Sequence, residues 1–422
     1  MNVFSMKAAQ TVERTDQGRL RLSVLTADRN QPIDDASVSI SYSGDPDSVI
    51  EEVNTDSSGQ IPELILPAPP LEYSMAPSEY QPYAEYTFRI SKEGYEDLEI
   101  SGAEILPDST ATQQAFLRPA TPQDTFQDIV IPAHTLFGNY PKKIPEDEIK
   151  PMDTSGEIVL SRVVVPETVV VHDGTPDNTS AQNYFVRYRD YIKNVACSEI
   201  YATWPKDTIR ANVLAIMSFT LNRVYTEWYR NKGYDFTITS STAFDHKWMY
   251  GRNLFESISE VVDELFDNYL SRPGVRQPIL TQYCDGQRVQ CPGWMTQWGS
   301  KYLGDQGYTA IEILRDFYGD NMYINTAEEI SGIPASWPGA PLDIGSSGNK
   351  VRQIQEQLNT IAGSYPALST IAADGIYGES TQNAVREFQR VFNLPATGVV
   401  DYPTWYEIQE IFVGVSRIAE LV

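Results

Sequence analysis

The chain has 422 residues, 41% hydrophobic and 21% charged, a composition of globular domains with proper cores and too long for a single one. Its 57 acidic and 32 basic residues give a formal net charge of −25, which argues against nucleic acid, anionic lipid and phosphate-rich polymers, all bound through clustered Lys and Arg. Nowhere does an apolar run approach the roughly 18 residues of a membrane span, and three cysteines do not make a disulfide framework.

Residues 1–17 are polar, lack the apolar stretch of a secretory signal and read as a loosely held arm. From 18 to 118, runs such as RLRLSVLTA, ASVSISYSG, YAEYTFRIS and EDLEISGAEI alternate apolar and polar residues between Gly, Pro, Asp and Ser. That period predicts an antiparallel β-sandwich. Its Thr55–Gly59 turn and Lys92–Tyr95 element resemble those of carboxypeptidase-regulatory and Cna-B-like sandwiches, a likeness that implies a spacer or stalk. The Pro/Tyr-rich stretch 67–83 is expected to be extended rather than helical. Residues 119–158, with recurrent Pro and mixed charge, read as an irregular linker packed on its neighbours.

IVLSRVVV and ETVVVHDG open a mixed α/β region over 159–322, in which His172 reads as a hydrogen-bonded structural residue. Ile192, Val195, Ala196 and Glu199 fall at i, i+3, i+4 and i+7, one helical face with three apolar members and one carboxylate. Lost hydration disfavours the charged carboxylate and raises its pKa, which suits a general acid near neutral pH. The plainer alternative is a solvated or lysine-paired glutamate near a helix end. Trp204-Pro205 stops the helix, Asp207 is placed to cap the next, and Ile209, Val213, Ile216, Met217, Leu221, Val224 and Trp228 point toward a core.

NVACSEIYATWPKDTIRANVLAIMSFT, followed in order by ITSSTAFDHKW (238–248) and MTQWGSKYLGDQGYTAIEILRDFYG (295–319), resembles the core of the SpoIID/LytB family. That family holds lytic transglycosylases, which cleave peptidoglycan between N-acetylmuramic acid and N-acetylglucosamine, and non-catalytic amidase enhancers. In its lytic members the glutamate of a Ser-Glu segment protonates the glycosidic oxygen and the muramic C6 hydroxyl closes a 1,6-anhydro ring, so no second carboxylate nucleophile is needed. The resemblance implies Glu199 as the acid, with Ser198, Ser240, Ser241, Thr242, Gln297 and Trp298 as substrate contacts; each of the last five also reads as structural. The chain departs from the family at Asn212 in place of Gln, at Met217 in place of Arg, and at Cys284 and Cys291 in place of histidines. Met217 supplies neither the charge nor the donors of an arginine. The two cysteines admit a disulfide across the loop DGQRVQ, a zinc site completed by His246, or a pair of reduced buried thiols. No cofactor is implied other than a zinc ion in the second of these arrangements. Cys197 lacks an evident His partner and does not read as a nucleophile.

Residues 323–341 are a second Pro/Gly-rich connector. Residues 342–414 carry LDIGSSG, the helical runs VRQIQEQLN and STQNAVREFQRVFNL, the Asp374–Gly378 turn, and Thr397–Asp401 with Thr404-Trp405. They resemble the three-helix peptidoglycan-binding domain, with glycines for turns at positive φ and Ser380 or Thr381 as a helix cap. The combined expectation is a multidomain α+β protein: N-terminal sandwich, central SpoIID-like domain, C-terminal helical domain. Its implied partners are peptidoglycan glycan strands and stem peptides, in a wall or spore envelope. The rival expectation is a non-catalytic wall-binding protein, an enhancer that partners a cell-wall amidase or a structural wall or spore component. No export route is read; release by lysis or from a phage-like particle is one way to reach such a substrate.

Overall fold

The computed structural model describes residues 16–28, 30–121, 126–150, 160–332 and 337–416. All of the expected polar arm before Asp16, the start of IVLSRVVV, and stretches 122–125, 151–159 and 333–336 of the two connectors lie outside the described residues.

The N-terminal module contains β1 (Asp16–Thr26), β2 (Ser37–Tyr42), β3 (Asp45–Asn54), β4 (Leu64–Ala68), α1 (Glu72–Met75), β5 (Ala84–Ser91), β6 (Leu98–Ile105), β7 (Thr110–Leu117) and β8 (Gln127–Val130). Period-2 burial forms these strands: Leu20, Leu22 and Val24 of β1 are buried while Arg19, Arg21 and Ser23 are not. One sheet runs β3-β2-β5-β6-β8 and the other contains β7-β1-β4, and side chains of both enter one core with Leu22, Val24, Val38, Ile40, Phe88 and Ile100. Two pairings depart from the antiparallel expectation, since β1 with β7 and β6 with β8 run parallel. After β6 the chain turns through Asp108, at φ 50°, and crosses into the other sheet instead of pairing back as a hairpin. The Thr55–Gly59 turn is held by Asp56, whose Oδ1 accepts from the Ser58 and Gln60 amides at 2.8 and 3.0 Å. The stretch 67–83 is not wholly extended: α1 interrupts it, because the Trp204 indole donates to the Ser74 carbonyl at 2.9 Å and fixes a helical turn there.

The central region holds β9 (Val164–Val165), β10 (Thr168–His172), β11 (Asn183–Arg187), α2 (Tyr188–Glu199), α3 (Lys206–Tyr225), β12 (Ile238–Thr239), β13 (Leu254–Phe255), α4 (Glu256–Leu265), β14 (Asn268–Ser271), β15 (Tyr283–Cys284), β16 (Met295–Thr296), α5 (Gln297–Asp305) and α6 (Ala310–Tyr318). Helix α3 is buried almost all round and forms the axis of the region. Its cap differs from expectation: Pro205 stands at the N-cap, and Asp207 sits in the first turn, 3.9 Å from Arg210 and near the positive end of the helix dipole. His172 is structural, held by Asn183 Oδ1 at 2.8 Å and the Thr175 carbonyl at 3.1 Å.

The C-terminal module is α7 (Asn349–Ala362), α8 (Glu379–Val391) and α9 (Tyr402–Ser416) around Ile354, Leu358, Val385, Phe388, Trp405 and Ile408. Two buried glutamines lock its glycine turns. Gln355 Oε1 accepts from the Gly375 amide at 2.8 Å, and Gln389 Oε1 from the Gly398 amide at 2.7 Å. Gly378, not Ser380 or Thr381, stands at the N-cap of α8; the Thr381 hydroxyl is taken by Gln355 Nε2 at 3.0 Å.

The modules are sewn together. β13 adds to the N-terminal sheet beside β7, with Leu254 opposite Thr112 and Phe255 opposite Ala111. Arg252 and Glu104, both fully buried, pair at 2.9 Å, and the Asn253 side chain bonds both the amide and the carbonyl of Glu104. On the other side Arg189 pairs with Glu407 and Glu410 of α9 at 2.7 Å each. A spacer touches its neighbours only at its ends; here the N-terminal module shares a sheet and a buried ion pair with the centre. No described helix is long and apolar enough to cross a membrane.

Candidate active site around Glu199

Glu199 is the last residue of α2, at the negative end of the helix dipole and 5% exposed. The carbonyls that α2 leaves without intrahelical partners are taken by side chains: Thr135 Oγ1 donates to the Ser198 carbonyl at 2.6 Å and Gln297 Nε2 to the Glu199 carbonyl at 2.7 Å. Around the carboxylate, Oε1 accepts from the Lys247 amide at 2.9 Å, and Oε2 from Gln297 Nε2 at 3.1 Å and, more weakly, from Thr135 Oγ1 at 3.4 Å. Burial raises the pKa of Glu199; the Lys143 ammonium and the Lys247, Gln297 and Thr135 donors pull it back without cancelling the rise. Glu199 is thus desolvated, with Lys143 acting on it as a nearby charge and not as an ion-pair partner.

Lys143 is the charged neighbour. It is half-buried, donates to the Asp245 carbonyl, and lies 4.9 Å from the centre of the Phe219 ring and 4.7 Å from that of Tyr283. Burial brings its pKa down to about 8 against the opposing pull of Glu199. The Tyr283 hydroxyl is buried and meets no partner in standard hydrogen-bond geometry, yet burial and the Glu199 charge hold its pKa well above the ordinary value. Tyr283 stacks on His246, with ring centres 5.7 Å apart. His246 Nδ1 meets the Tyr191 hydroxyl at 3.3 Å, and burial, with the Lys143 and Arg223 charges, keeps the ring neutral. Beneath lies the Arg223–Asp245 pair at 2.7 Å, where Asp245 Oδ2 also takes Tyr229, the Thr239 amide and the Thr239 hydroxyl. That network fixes the Asp245–Lys247 turn from which the Glu199 clamp comes.

Of the residues expected beside Glu199, the structure brings in Gln297. Ser198 points into the core, fully buried, where its hydroxyl donates to the Asn194 carbonyl at 2.8 Å and accepts from Arg252 at 3.0 Å. Ser240 is tied to Asp173 Oδ1 at 2.7 Å. Ser241 and Thr242 are half-buried in the turn leading to Asp245, whose amide bonds the Ser241 carbonyl at 2.7 Å. Trp298 is packed against Trp204 at 5.0 Å and Tyr201 at 6.1 Å, so its faces serve the core rather than a sugar. Thr135, Lys143 and Tyr283 join the site without having been singled out, as does the backbone amide of Lys247, which lies inside the 238–248 segment. Thr135 and Lys143 lie in the segment expected to be a linker, whose irregular backbone carries no periodic signal.

Cys284 and Cys291 form a disulfide, with Cα atoms 6.0 Å apart. Both thiols are thereby used, and His246 is turned to Tyr191, so these three residues do not fit a zinc ion. Among the described residues no group of three or more His, Cys, Asp and Glu is placed to hold a metal. Cys197 is buried, accepts from the Phe255 amide at 3.3 Å, and has its pKa pushed up to about 11 by burial, the opposite of an activated thiol.

Comparison with known proteins places one part of the chain. Residues 347–408 match the model of the putative peptidoglycan binding domain, which supports an association with cell wall. Among solved structures, the N-terminal domain of SleB is 27% identical over 18% of this chain and 99% of its own, with a TM-score of 0.16. The Bacillus anthracis TIE protein is 17% identical over 25% of this chain and 17% of its own, and the minor pilin GBS52 of Streptococcus agalactiae 14% over 25% and 46%, both with TM-scores of 0.18. These likenesses are local, and the chain spans less than half the length of the last two. No curated protein matches the chain.

Proposed function

We propose that the chain is a peptidoglycan lytic transglycosylase in which Glu199 is acid and then base. The observation that carries this reading is the environment of Glu199: a carboxyl shielded from water, with a raised pKa, held by Gln297 and the Lys247 amide, in a chain that also matches the peptidoglycan-binding domain model. Glu199 gives its proton to the oxygen of the bond between muramic C1 and the departing N-acetylglucosamine as that bond breaks. The muramic C6 hydroxyl closes on C1, and its proton returns to Glu199, so no water is consumed and no second carboxylate takes part. The ordered likeness to SpoIID-like segments supports the same assignment. The arginine missing at Met217 is not restored there, since Met217 is fully buried; the cation beside the carboxylate is Lys143 instead.

A second reading has its own observation. Both oxygens of Glu199 are already engaged by donors from Lys247 and Gln297, as in a clamp that ties two loops to a helix end. In that reading the chain is a wall-binding protein or an amidase enhancer. Digestion of purified peptidoglycan by the intact chain and by Glu199→Gln separates the two. Anhydro-muropeptides in the mass spectrum of the native digest, and none from the variant, are the expected result. Sedimentation with the wall and no cleavage by either protein would leave the binding reading.

A further inference from the structure

Where the three modules meet there is a cleft of about 580 Å³, and Glu199 is not in its wall. Phe116, Phe185, Trp248 and Tyr250 line it. Phe185 is 78% and Tyr250 44% exposed, an uncommon display of large aromatics on a concave surface. Tyr250 stacks on Tyr184 at 4.8 Å and Trp248 tilts against the same ring at 5.1 Å, so that part of the wall is stiff, while Phe185 projects from the other face of β11.

The cleft also carries many carboxylates, most of them occupied. Glu256 pairs with Arg21, Glu264 with Lys206 and Arg210, Asp263 with Arg189 and Lys193, and Glu407 and Glu410 with Arg189. Glu260 and Asp401 also line the cleft and have no cation partner among the described residues, and beside them the wall leaves neutral groups unmade. Gln113 Oε1, Gln127 Nε2 and Ser259 Oγ are buried without hydrogen-bond partners, and all three residues line the cleft. Gln113 is 2% exposed, and its Nε2 is spent on the Gln114 and Gly251 carbonyls, which leaves its oxygen as a bare acceptor. A polar group buried without a partner has lost its hydration and gained nothing in return, so a ligand that completes the bond is favoured there. Three of them, an acceptor, a donor and a hydroxyl, beside exposed aromatic rings define a ligand with hydroxyl and amide groups and a flat apolar face.

We propose that this interdomain cleft binds an uncharged N-acetylated glycan, separately from the Glu199 site. Sugar faces lie on Phe185 and Tyr250, and hydroxyl or acetamido groups satisfy Gln113, Gln127 and Ser259. The two sites adjoin: Lys247 gives its amide to Glu199, and the next residue, Trp248, lines the cleft. The cleft is built from the N-terminal and central modules and closed by residues such as Tyr365 and Phe392 of the C-terminal one, so it exists only in the assembled chain.

The test is calorimetric titration of the intact chain with chitotetraose, with tetralysine as the cationic control, and hydrogen exchange to locate the bound sugar. Saturable binding is expected, with protection at 183–187 and 248–252, and Phe185→Ser and Gln113→Leu each weaken it at least tenfold. Phe185 is a surface residue, so its variant keeps the fold and circular dichroism checks that it does. Absence of binding, unchanged affinity in Phe185→Ser, protection confined to 347–408, or occupation of the cleft by tetralysine instead overturns the proposal. Because the readout is binding, failure of glycan cleavage with retained cleft binding removes the transglycosylase reading alone.

Discussion

Replacing Arg252 by Met tests whether the N-terminal module is structurally part of the centre. The Arg252 guanidinium sits 2.9 Å from Glu104, with both side chains sealed from solvent, and also donates to Ser198 and to the Asn253 carbonyl. Removing one partner of such a pair costs about 3–5 kcal/mol, because the remaining charge is stranded. Here the stranded group has an exit. Burial already raises Glu104 to a pKa of about 7 while Arg252 pulls it down, so without Arg252 it rises further and the carboxyl is neutral near pH 6 in both proteins. A carboxyl with a raised native pKa binds more protons folded than unfolded, so its contribution to stability falls as pH rises from the unfolded value toward the native one. In the native protein that fall ends near pH 7; in Arg252→Met it continues above. The cost of the substitution is therefore expected near 2 kcal/mol at pH 6, from lost hydrogen bonds, and to grow by about 1.4 kcal/mol per pH unit above 7. Urea unfolding at pH 6, 7 and 8, followed by tryptophan fluorescence, measures it, and adding Glu104→Gln should abolish the pH dependence. A cost equal at pH 6 and 8, or below about 1 kcal/mol at both, would refute the reasoning.

Lys143→Met removes the ammonium that lowers Glu199, so the Glu199 pKa rises further and the alkaline limb of a peptidoglycan-cleavage pH profile moves to higher pH; a limb that stays or moves down contradicts the assigned coupling. Opening the Cys284–Cys291 disulfide, by reductant or by Cys291→Ser, should cost about 2–3 kcal/mol on chain-entropy grounds. The lower end is expected, because Asp285 already holds the same loop through the Arg288 and Val289 amides at 2.8 and 2.7 Å; the thermal midpoint with and without dithiothreitol reads it. Arg189→Met strands Glu407 and leaves Glu410 only Arg187 at 3.7 Å, while Asp263 keeps Lys193 at 2.8 Å, so the C-terminal module should loosen and the 323–341 connector become protease-sensitive; an unchanged cleavage pattern would show that the apolar contacts alone suffice.

Local period and turn chemistry made part of this fold legible in the sequence. The alternation in β1 and the i, i+3, i+4, i+7 face of α2 placed those elements, and the glycine turns placed the C-terminal helices. The raised pKa of Glu199 came from its place on an apolar face. Contacts made by irregular backbone carry no such signal. Thr135 and Lys143 reach Glu199 from a Pro-rich stretch with no repeat, and the Lys247 clamp is an amide, which no side-chain motif encodes. Parallel pairing of β1 with β7 escaped because alternation reports which face is buried and not which neighbour is beside it. Motif adjacency misled as well: Ser198 lies next to Glu199 in sequence, but a step of one residue on a helix turns it about 100° into the core.

The placement of Glu199 is a property of the whole chain, and α2 shows why. Its second residue, Arg189, is bound to α9 through Glu407 and Glu410, and its penultimate residue, Ser198, is bound through Arg252 to Glu104 of the N-terminal sheet. A helix of 12 residues spans about 18 Å, so one rigid rod joins charged groups of both flanking modules. One link is an ion pair of the buried Arg189 with two partly exposed carboxylates, the other a buried hydrogen bond from Arg252 to Ser198, and both are short enough to leave little slack. Rotation of either outer module would drag an end of α2 and with it the carboxylate held between Lys247 and Gln297. The modules that bracket α2 are also those that wall the interdomain cleft, so the same anchors that set the position of Glu199 set the width of that cleft.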